Sequence, residues 1–238
     1  MQKHLAKVAV VGSNGFVGSQ ICKVIEGSDK YSLIRITRGD NIDRLVGKAD
    51  MVIHAANPAG RFIAESHPHN DFNETLEKTL NIVRAVNGKP LLLLSTLSCK
   101  TQMDTNYGRN RRSCEALVLM QEGVVVRLGP MFGGGRTKDT LHDILADRQV
   151  FVSPETCYAY VDVTWAASKI VALLSSPSGL YEVGASNAVS LSDLRDNFNS
   201  TSVFSGINDT QIPEYCEDAP DARLVFDYAK KELEAMRA

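Results

Sequence analysis

The sequence predicts the α/β class, a doubly wound parallel sheet with a small C-terminal lobe. Three observations predict it. The run Val8-Ala9-Val10-Val11 enters a turn with Gly12, Gly15 and Gly18, and the apolar-periodic segment Gln20–Ile25 follows at once, so a buried strand, a tight turn and a helix stand in that order. Strand-like and helix-like segments then alternate along the chain, as in a sheet built from crossover units. The strand-like runs Leu91–Leu94 and Val124–Val126 are apolar at every position, which suits strands covered on both faces.

The first turn carries the strongest signal. Glycine permits positive φ, lets the backbone approach a ligand with no Cβ in the way, and packs the helix on its strand. The free N–H groups at the helix start favour an anion there, ideally a pyrophosphate. The spacing is Gly-x-x-Gly-x-x-Gly rather than Gly-x-Gly-x-x-Gly, and its place between strand and helix makes it a dinucleotide site. Gly12, Ser13, Asn14, Gly15, Phe16, Val17 and Gly18 are its expected residues.

Ser32–Thr37 reads as the second strand. Thr37 lies 19 residues past Gly18, where an acid would hydrogen-bond the adenosine ribose and select NAD; here Arg38 follows instead and suits a 2′-phosphate. NADP(H) is the expected cofactor, with NAD as the alternative in which Asp40 serves the ribose. A short helix over Ile42–Val46 leads to the strand Met51–Ala56, whose small residues Ala55 and Ala56 leave room for a cofactor. His54 reads as a satisfied strand-end histidine, and His67 and His69, with no third ligand nearby, read as loop surface rather than a metal site.

Phe72–Val86 has helical period with Phe72, Leu76, Leu80 and Val83 on one stripe. The strand Leu91–Leu94 breaks into Ser95-Thr96, a helix is expected over Tyr107–Gln121, and the strand Gly123–Leu128 ends at Gly129-Pro130. Beyond it we expect a strand over Tyr158–Asp162, a helix over Val163–Leu174, a strand over Leu180–Val183, and a helix over Leu191–Phe198. An irregular run over Asn199–Asp221 and a helix over Leu224–Met236 complete the chain. Ligand chemistry in such sheets sits at the carboxyl ends of the strands, where Gly12, Thr37, Ala55, Ser95, Thr96 and Gly129 fall.

Composition narrows the function class. Hydrophobic residues make up 44% and charged residues 23%, and 26 Lys+Arg against 28 Asp+Glu leave a net charge of −2. No basic face for nucleic acid is indicated. The apolar run near the start is too short for a secretory signal, and none is long enough to span a bilayer. Five scattered cysteines without a Cys-x-x-Cys pair fit neither a disulfide framework nor a zinc cage, so the expected compartment is the cytoplasm.

Thr96 at a strand end and Tyr107-Gly108-Arg109-Asn110-Arg111 at a helix start form the chemical constellation. Residues four apart share a helix face, so Tyr107 and Arg111 are neighbours. A cation beside a phenol favours phenolate and makes it a usable acid/base, while a strand-end hydroxyl holds a substrate oxygen.

The chain resembles the extended short-chain dehydrogenase/reductases, the NAD-dependent epimerase/dehydratase family. The matching pieces, in the family's order, are the glycine turn, His54-Ala55-Ala56, Ser95-Thr96, Tyr107-Gly108-x-x-Arg111-x-x-x-Glu115, Arg127–Gly133, Tyr160–Val163, Tyr181–Gly184 with Ser190–Leu194, and Asp227–Leu233. The resemblance implies a Rossmann-type fold, with 1–129 plus about 159–185 binding the dinucleotide and about 130–158 plus 186–238 forming a small substrate lobe. It implies Tyr107 as acid/base and Thr96, before Ser95, as the substrate-orienting hydroxyl. Arg111 would hold the nicotinamide ribose, His54, Ala55 and Ala56 would line the cofactor site, and Pro130, Met131 and Phe132 would touch substrate. The family acts as epimerases, dehydratases or reductases, mostly on nucleoside-diphosphate sugars, and commonly dimerises through helices corresponding to 72–86 and 107–121. Three departures stand out. Arg111 replaces the family's lysine, the Thr96–Tyr107 segment is short, and a strand–helix piece is missing between Arg38 and Asp50. The resulting expectation is an oxidoreductase or sugar-nucleotide epimerase/dehydratase. The alternative is an NADP(H)-binding sensor or regulatory subunit without turnover.

Overall fold

The computed structural model describes residues 5–237; residues 1–4 of the expected dinucleotide-binding segment and residue 238 of the expected substrate lobe lie outside them. In chain order the first elements are β1 (Ala6–Val11), α1 (Phe16–Glu26), β2 (Tyr31–Ile36), α2 (Ile42–Val46), β3 (Met51–His54), α3 (Arg61–Ser66) and α4 (Pro68–Phe72). A π-helical segment (Asn73–Glu77) runs directly into α5 (Lys78–Val86), followed by β4 (Leu91–Thr96), α6 (Ser98–Thr101), α7 (Asn106–Leu119) and β5 (Val124–Leu128). The remainder comprises β6 (Met131–Phe132), α8 (Thr140–Leu145), β7 (Cys157–Tyr158), β8 (Val161–Asp162), α9 (Val163–Ala172), β9 (Gly179–Val183), β10 (Val189–Ser190), α10 (Leu191–Asn197) and α11 (Leu224–Arg237).

The chain divides into two compact units. The first runs up to Arg127 and returns over Ala167–Tyr181. Its frame is a six-stranded sheet in the order β2-β1-β3-β4-β5-β9. β1 pairs in parallel with β2 and β3, and β3 with β4. Val8, Ala9, Val10, Ile53, Leu93, Val125 and Val126 are fully buried, because helices cover both faces of a parallel sheet. The order reverses beside β1: the chain goes first to β2 on one side and then to β3 on the other. Such a switch point leaves a crevice at the carboxyl ends of the two central strands, where ligands bind in open α/β sheets. β2 is the edge strand of this sheet.

The second unit comprises Leu128–Ala166 and Glu182–Ala238. It contains two small sheets, β6 with β8 in parallel and β7 with β10 antiparallel. The expected strand Tyr158–Asp162 is therefore two short strands, split at Ala159-Tyr160. Asp139 caps α8 through the His142 N–H at 2.9 Å and also meets His142 Nδ1 at 2.7 Å. Phe132 packs on Tyr228 with ring centres 5.2 Å apart. Among the described residues, no helix is long and apolar enough to cross a membrane.

The expected apolar stripe on Phe72–Val86 is corrected by the structure. Phe72 is 44% exposed, whereas Val83 is buried and Leu76 packs half-buried against the core as expected; Asp71, Thr75, Thr79, Ile82 and Val86 are also turned inward. Asp71, Thr75 and Thr79 are separated by four-residue steps, which keep side chains on one helix face. Polar side chains thereby enter the core where the sequence pattern placed apolar ones.

Candidate functional site

The glycine turn is built by close backbone contact. An added Cβ at Gly18 would lie 2.2 Å from the Gly12 carbonyl oxygen, and one at Gly12, with φ +87°, would lie 2.6 Å from the Ala55 carbonyl oxygen. Neither position has room for a side chain. Ser13 is buried and donates to the Ile36 carbonyl at 3.2 Å, whereas Asn14 and Gly15 are exposed and Phe16 and Val17 half-buried. Gly15 is the N-cap of α1 without a side-chain cap. Its first N–H groups therefore stand over an uncovered turn that fits a pyrophosphate.

At the end of β2 the loop closes on itself. The Thr37 N–H and hydroxyl both donate to Asp40 Oδ2, at 2.7 and 2.8 Å. These bonds, the backbone one first, hold the Asp40 carboxyl below its ordinary range. Arg38 stands out of this turn with its side chain 90% exposed, 3.5 Å from Glu74.

His54 at the end of β3 is fully buried. Its Nε2 meets Thr79 Oγ1 at 2.9 Å, and its Nδ1 accepts the Ala56 N–H at 3.3 Å. Burial, with Lys78 adding a smaller push, lowers its pKa to about 3. The imidazole is thus a neutral tie between strand and helix. Ala55 and Ala56 are half-buried beside Gly12. Asn57 follows, and both its Nδ2 and its Oδ1 are buried without a hydrogen-bond partner.

At the end of β4, Ser95 and Thr96 have different partners. Ser95 is buried and donates to Glu115 Oε1 at 2.6 Å. Thr96 donates to Ser98 Oγ at 3.1 Å and accepts the Ser98 N–H at 3.2 Å. Ser98 also accepts from Arg61 Nη2 at 3.0 Å. Glu115 anchors this strand end to α7. Its two oxygens accept Arg127 Nε at 2.8 Å and Nη2 at 2.7 Å, and Arg112 adds a bond at 3.1 Å.

Helix α7 begins with a Thr105 cap on the Gly108 N–H, at 3.0 Å. Glu65 of α3 accepts the Tyr107 N–H and Asn106 Nδ2, both at 3.1 Å, placing negative charge at the positive helix end. Tyr107 and Arg111 do meet. The guanidinium carbon lies 3.7 Å from the Tyr107 ring centre, and that of Arg61 lies 6.0 Å away. The cation faces the ring rather than standing free: Arg111 Nη1 donates to both oxygens of Asp71 at 2.9 Å, and Nη2 donates to the Pro58 carbonyl. Asp71 in turn accepts from Asn110 at 2.8 Å and Thr75 at 3.2 Å.

Pro130, Met131 and Phe132 belong to the second unit, where Pro130 is half-buried and Met131 and Phe132 are 9% and 6% exposed. His67 and His69 are exposed, and no three His, Cys, Asp or Glu side chains gather for a metal among the described residues. Asp71, Asn57, Arg61 and Glu65 were not singled out from sequence. A buried arginine requires a counter-ion, and that requirement at Arg111 is the signal that points to Asp71.

Residues 8–116 match the family model of the NAD dependent epimerase/dehydratase family. UDP-2-acetamido-2,6-beta-L-arabino-hexul-4-ose reductase of Pseudomonas aeruginosa PA103 is 24% identical over 254 aligned residues, covering 93% of this chain and 67% of the relative. The fold is similar to MoeE5 in complex with UDP-glucose and NAD, with a TM-score of 0.78, 14% identity and coverage of 98% and 99% of the two chains. It is equally similar to dTDP-4-dehydrorhamnose reductase from Bacillus anthracis Ames in complex with NADP, at TM-score 0.78, 15% identity and 98% and 100% coverage. The matched segment holds the glycine turn, Ser95-Thr96 and the Tyr107–Glu115 helix face, so over residues 8–116 the chain is similar to the NAD dependent epimerase/dehydratase family.

Proposed function

We propose that this chain is an NAD(P)-dependent epimerase, dehydratase or reductase acting at a carbinol or carbonyl carbon, with a nucleoside-diphosphate sugar or related compound as substrate. The observation that carries the reading is the arrangement of neighbouring parallel strands. β1, β3 and β4 end in the glycine turn, in Ala55-Ala56, and in Ser95-Thr96. When bound, the dinucleotide gives or takes the hydride. The turn Gly12–Gly18 holds its pyrophosphate on backbone N–H groups. Arg38 takes a 2′-phosphate, which favours NADP(H) over NAD(H). The Tyr107 hydroxyl exchanges a proton with the substrate oxygen, and Thr96 orients that oxygen. Arg111 supports the Tyr107 ring from its face. Pro130, Met131 and Phe132 are assigned to the sugar side, and a homodimer through 72–86 and 107–121 would cover Phe72 and Met120, 44% and 83% exposed.

A second reading is favoured by one specific observation. Arg111 is 2% exposed and tied to Asp71 and Pro58, which suits a dinucleotide-binding protein without turnover. One experiment separates the two. Purified protein is titrated with NADPH and NADH, then assayed with UDP-sugars and dTDP-sugars alongside Tyr107→Phe. The enzyme reading expects turnover that Tyr107→Phe lowers by 10²-fold or more with cofactor affinity nearly unchanged. Binding without turnover of any such sugar would favour the sensor, and full activity in Tyr107→Phe would overturn the site assignment.

A further inference from the structure

The amide of Asn57 is the least satisfied side chain among the described residues. Both Nδ2 and Oδ1 are buried without a partner, whereas the other residues with such atoms, His142 and Tyr160, have one each. A buried polar group left unpaired destabilises the fold, so a side chain with two of them marks a place that a ligand completes.

Its position in the chain shows which ligand. Two residues before it, the Ala55 carbonyl closes on Gly12. One residue after it, the Pro58 carbonyl accepts from Arg111, which lies on the Tyr107 ring. The sheet order β2-β1-β3 puts Asn57, at the exit of β3, on the opposite side of β1 from Thr37–Asp40 at the exit of β2. A dinucleotide whose pyrophosphate rests on the β1 turn places one nucleoside toward each side. The exposed Arg38 marks the β2 side for the adenosine half, which leaves the nicotinamide half on the side of Asn57.

The chemistry of the amide narrows the contact further. Nδ2 needs an acceptor and Oδ1 needs a donor. An ionised phosphate only accepts, so it would leave Oδ1 unpaired. A pair of ribose hydroxyls or a carboxamide does both. Arg111 does not offer that contact as it stands, because its guanidinium is buried against Asp71 and Pro58. We propose that the Asn57 side chain binds the nicotinamide nucleoside, through its ribose hydroxyls or its carboxamide, a contact that rests on the dinucleotide reading above.

The test is calorimetric titration of the full chain, of Asn57→Ala and of Asn57→Asp with three probes: ADP, ADP-ribose and the preferred dinucleotide. Asn57→Ala should weaken the dinucleotide tenfold or more and leave ADP within twofold, with a melting temperature equal to or above that of the native chain when no nucleotide is present. Asn57→Asp, which keeps the size and loses the donor, should weaken the dinucleotide in the same direction. A loss shared by ADP-ribose assigns the contact to the ribose, and a loss confined to the dinucleotide assigns it to the carboxamide. An equal loss for ADP and dinucleotide, or no loss at all, would overturn the proposal while leaving the dinucleotide reading intact. A native chain that binds none of the three probes would remove that reading and the proposal with it.

Discussion

Arg111 and Asp71, 40 residues apart in the chain, form a closed ion pair with Nη1 2.9 Å from both carboxylate oxygens and each side chain 2% exposed. It joins the helix that carries Tyr107 to the turn before the π segment. Its cation also lies on the face of the Tyr107 phenol ring, 3.7 Å from the ring centre, so the same guanidinium fixes the packing and the side chain proposed to move protons.

Removing one partner should therefore be costly. Asp71→Ala leaves a buried guanidinium with only the Pro58 and Tyr107 carbonyls and no counter-ion, and the expected loss is about 3–5 kcal/mol. The double variant Asp71→Leu/Arg111→Met removes both charges and should recover most of that loss. Urea unfolding of these proteins, with the single variants Asp71→Leu and Arg111→Met closing the cycle, measures the coupling. Additive losses in the double variant would mean that the two residues do not act as a pair.

Glu115 offers a second break point. It is 1% exposed and receives bonds from Ser95, Arg112 and Arg127. Glu115→Gln keeps the shape but leaves the buried Arg127 charge without its counter-ion, and we expect a destabilisation of about 3 kcal/mol or more. Arg112→Ala removes only the half-exposed partner and should cost less than about 1 kcal/mol. Denaturant midpoints for the two variants should differ accordingly, and similar midpoints would place the strength of the network in its exposed arm.

Arg38 tests cofactor choice without touching the core. Its side chain is 90% exposed, so Arg38→Ala should leave stability nearly unchanged. A charge-assisted contact to a 2′-phosphate is worth about 1.5–3 kcal/mol, which predicts roughly a 10- to 100-fold weaker NADPH and an unchanged NADH. If both cofactors weaken alike, Arg38 reads no 2′-phosphate. Preference for NADH in the native chain would return the ribose to Asp40.

The sequence and the structure part company at identifiable places. The glycine turn was legible because steric exclusion at Gly12 and Gly18 leaves no other residue type, and a rule that strict shows in the letters. The strands were legible because burial on both faces demands unbroken apolar runs such as Leu91–Leu94. The Tyr107–Arg111 contact follows from helical spacing alone. Asp71 was hidden, because the inward face of this helical run mixes Asp71, Thr75 and Thr79 with Ile82 and Val86, and an apolar pattern gives no weight to buried polar side chains. Asn57 was hidden for a different reason: an asparagine after a strand reads as ordinary loop chemistry until its burial and missing partners are seen.

His54 links this buried polar seam to pH. Free histidine has a pKa near 6.5, and burial lowers that of His54 to about 3. Between those values the unfolded chain binds a proton that the folded chain refuses, so the unfolded state gains as pH falls. The contribution is complete above about pH 6.5 and is lost progressively toward pH 3, with a slope approaching about 1.4 kcal/mol per pH unit. From pH 7.5 to pH 5.0 the loss from this one group should be about 2 kcal/mol. His54→Gln has a side chain that can still meet Thr79 Oγ1, which His54 reaches at 2.9 Å, but has no proton to gain. It should cost some packing at neutral pH and flatten the change in urea midpoint between those two pH values. If His54→Gln loses as much stability as the native chain over that interval, the imidazole is not the group that titrates there, and the neutral tie between β3 and the crossover helix would have to be given up.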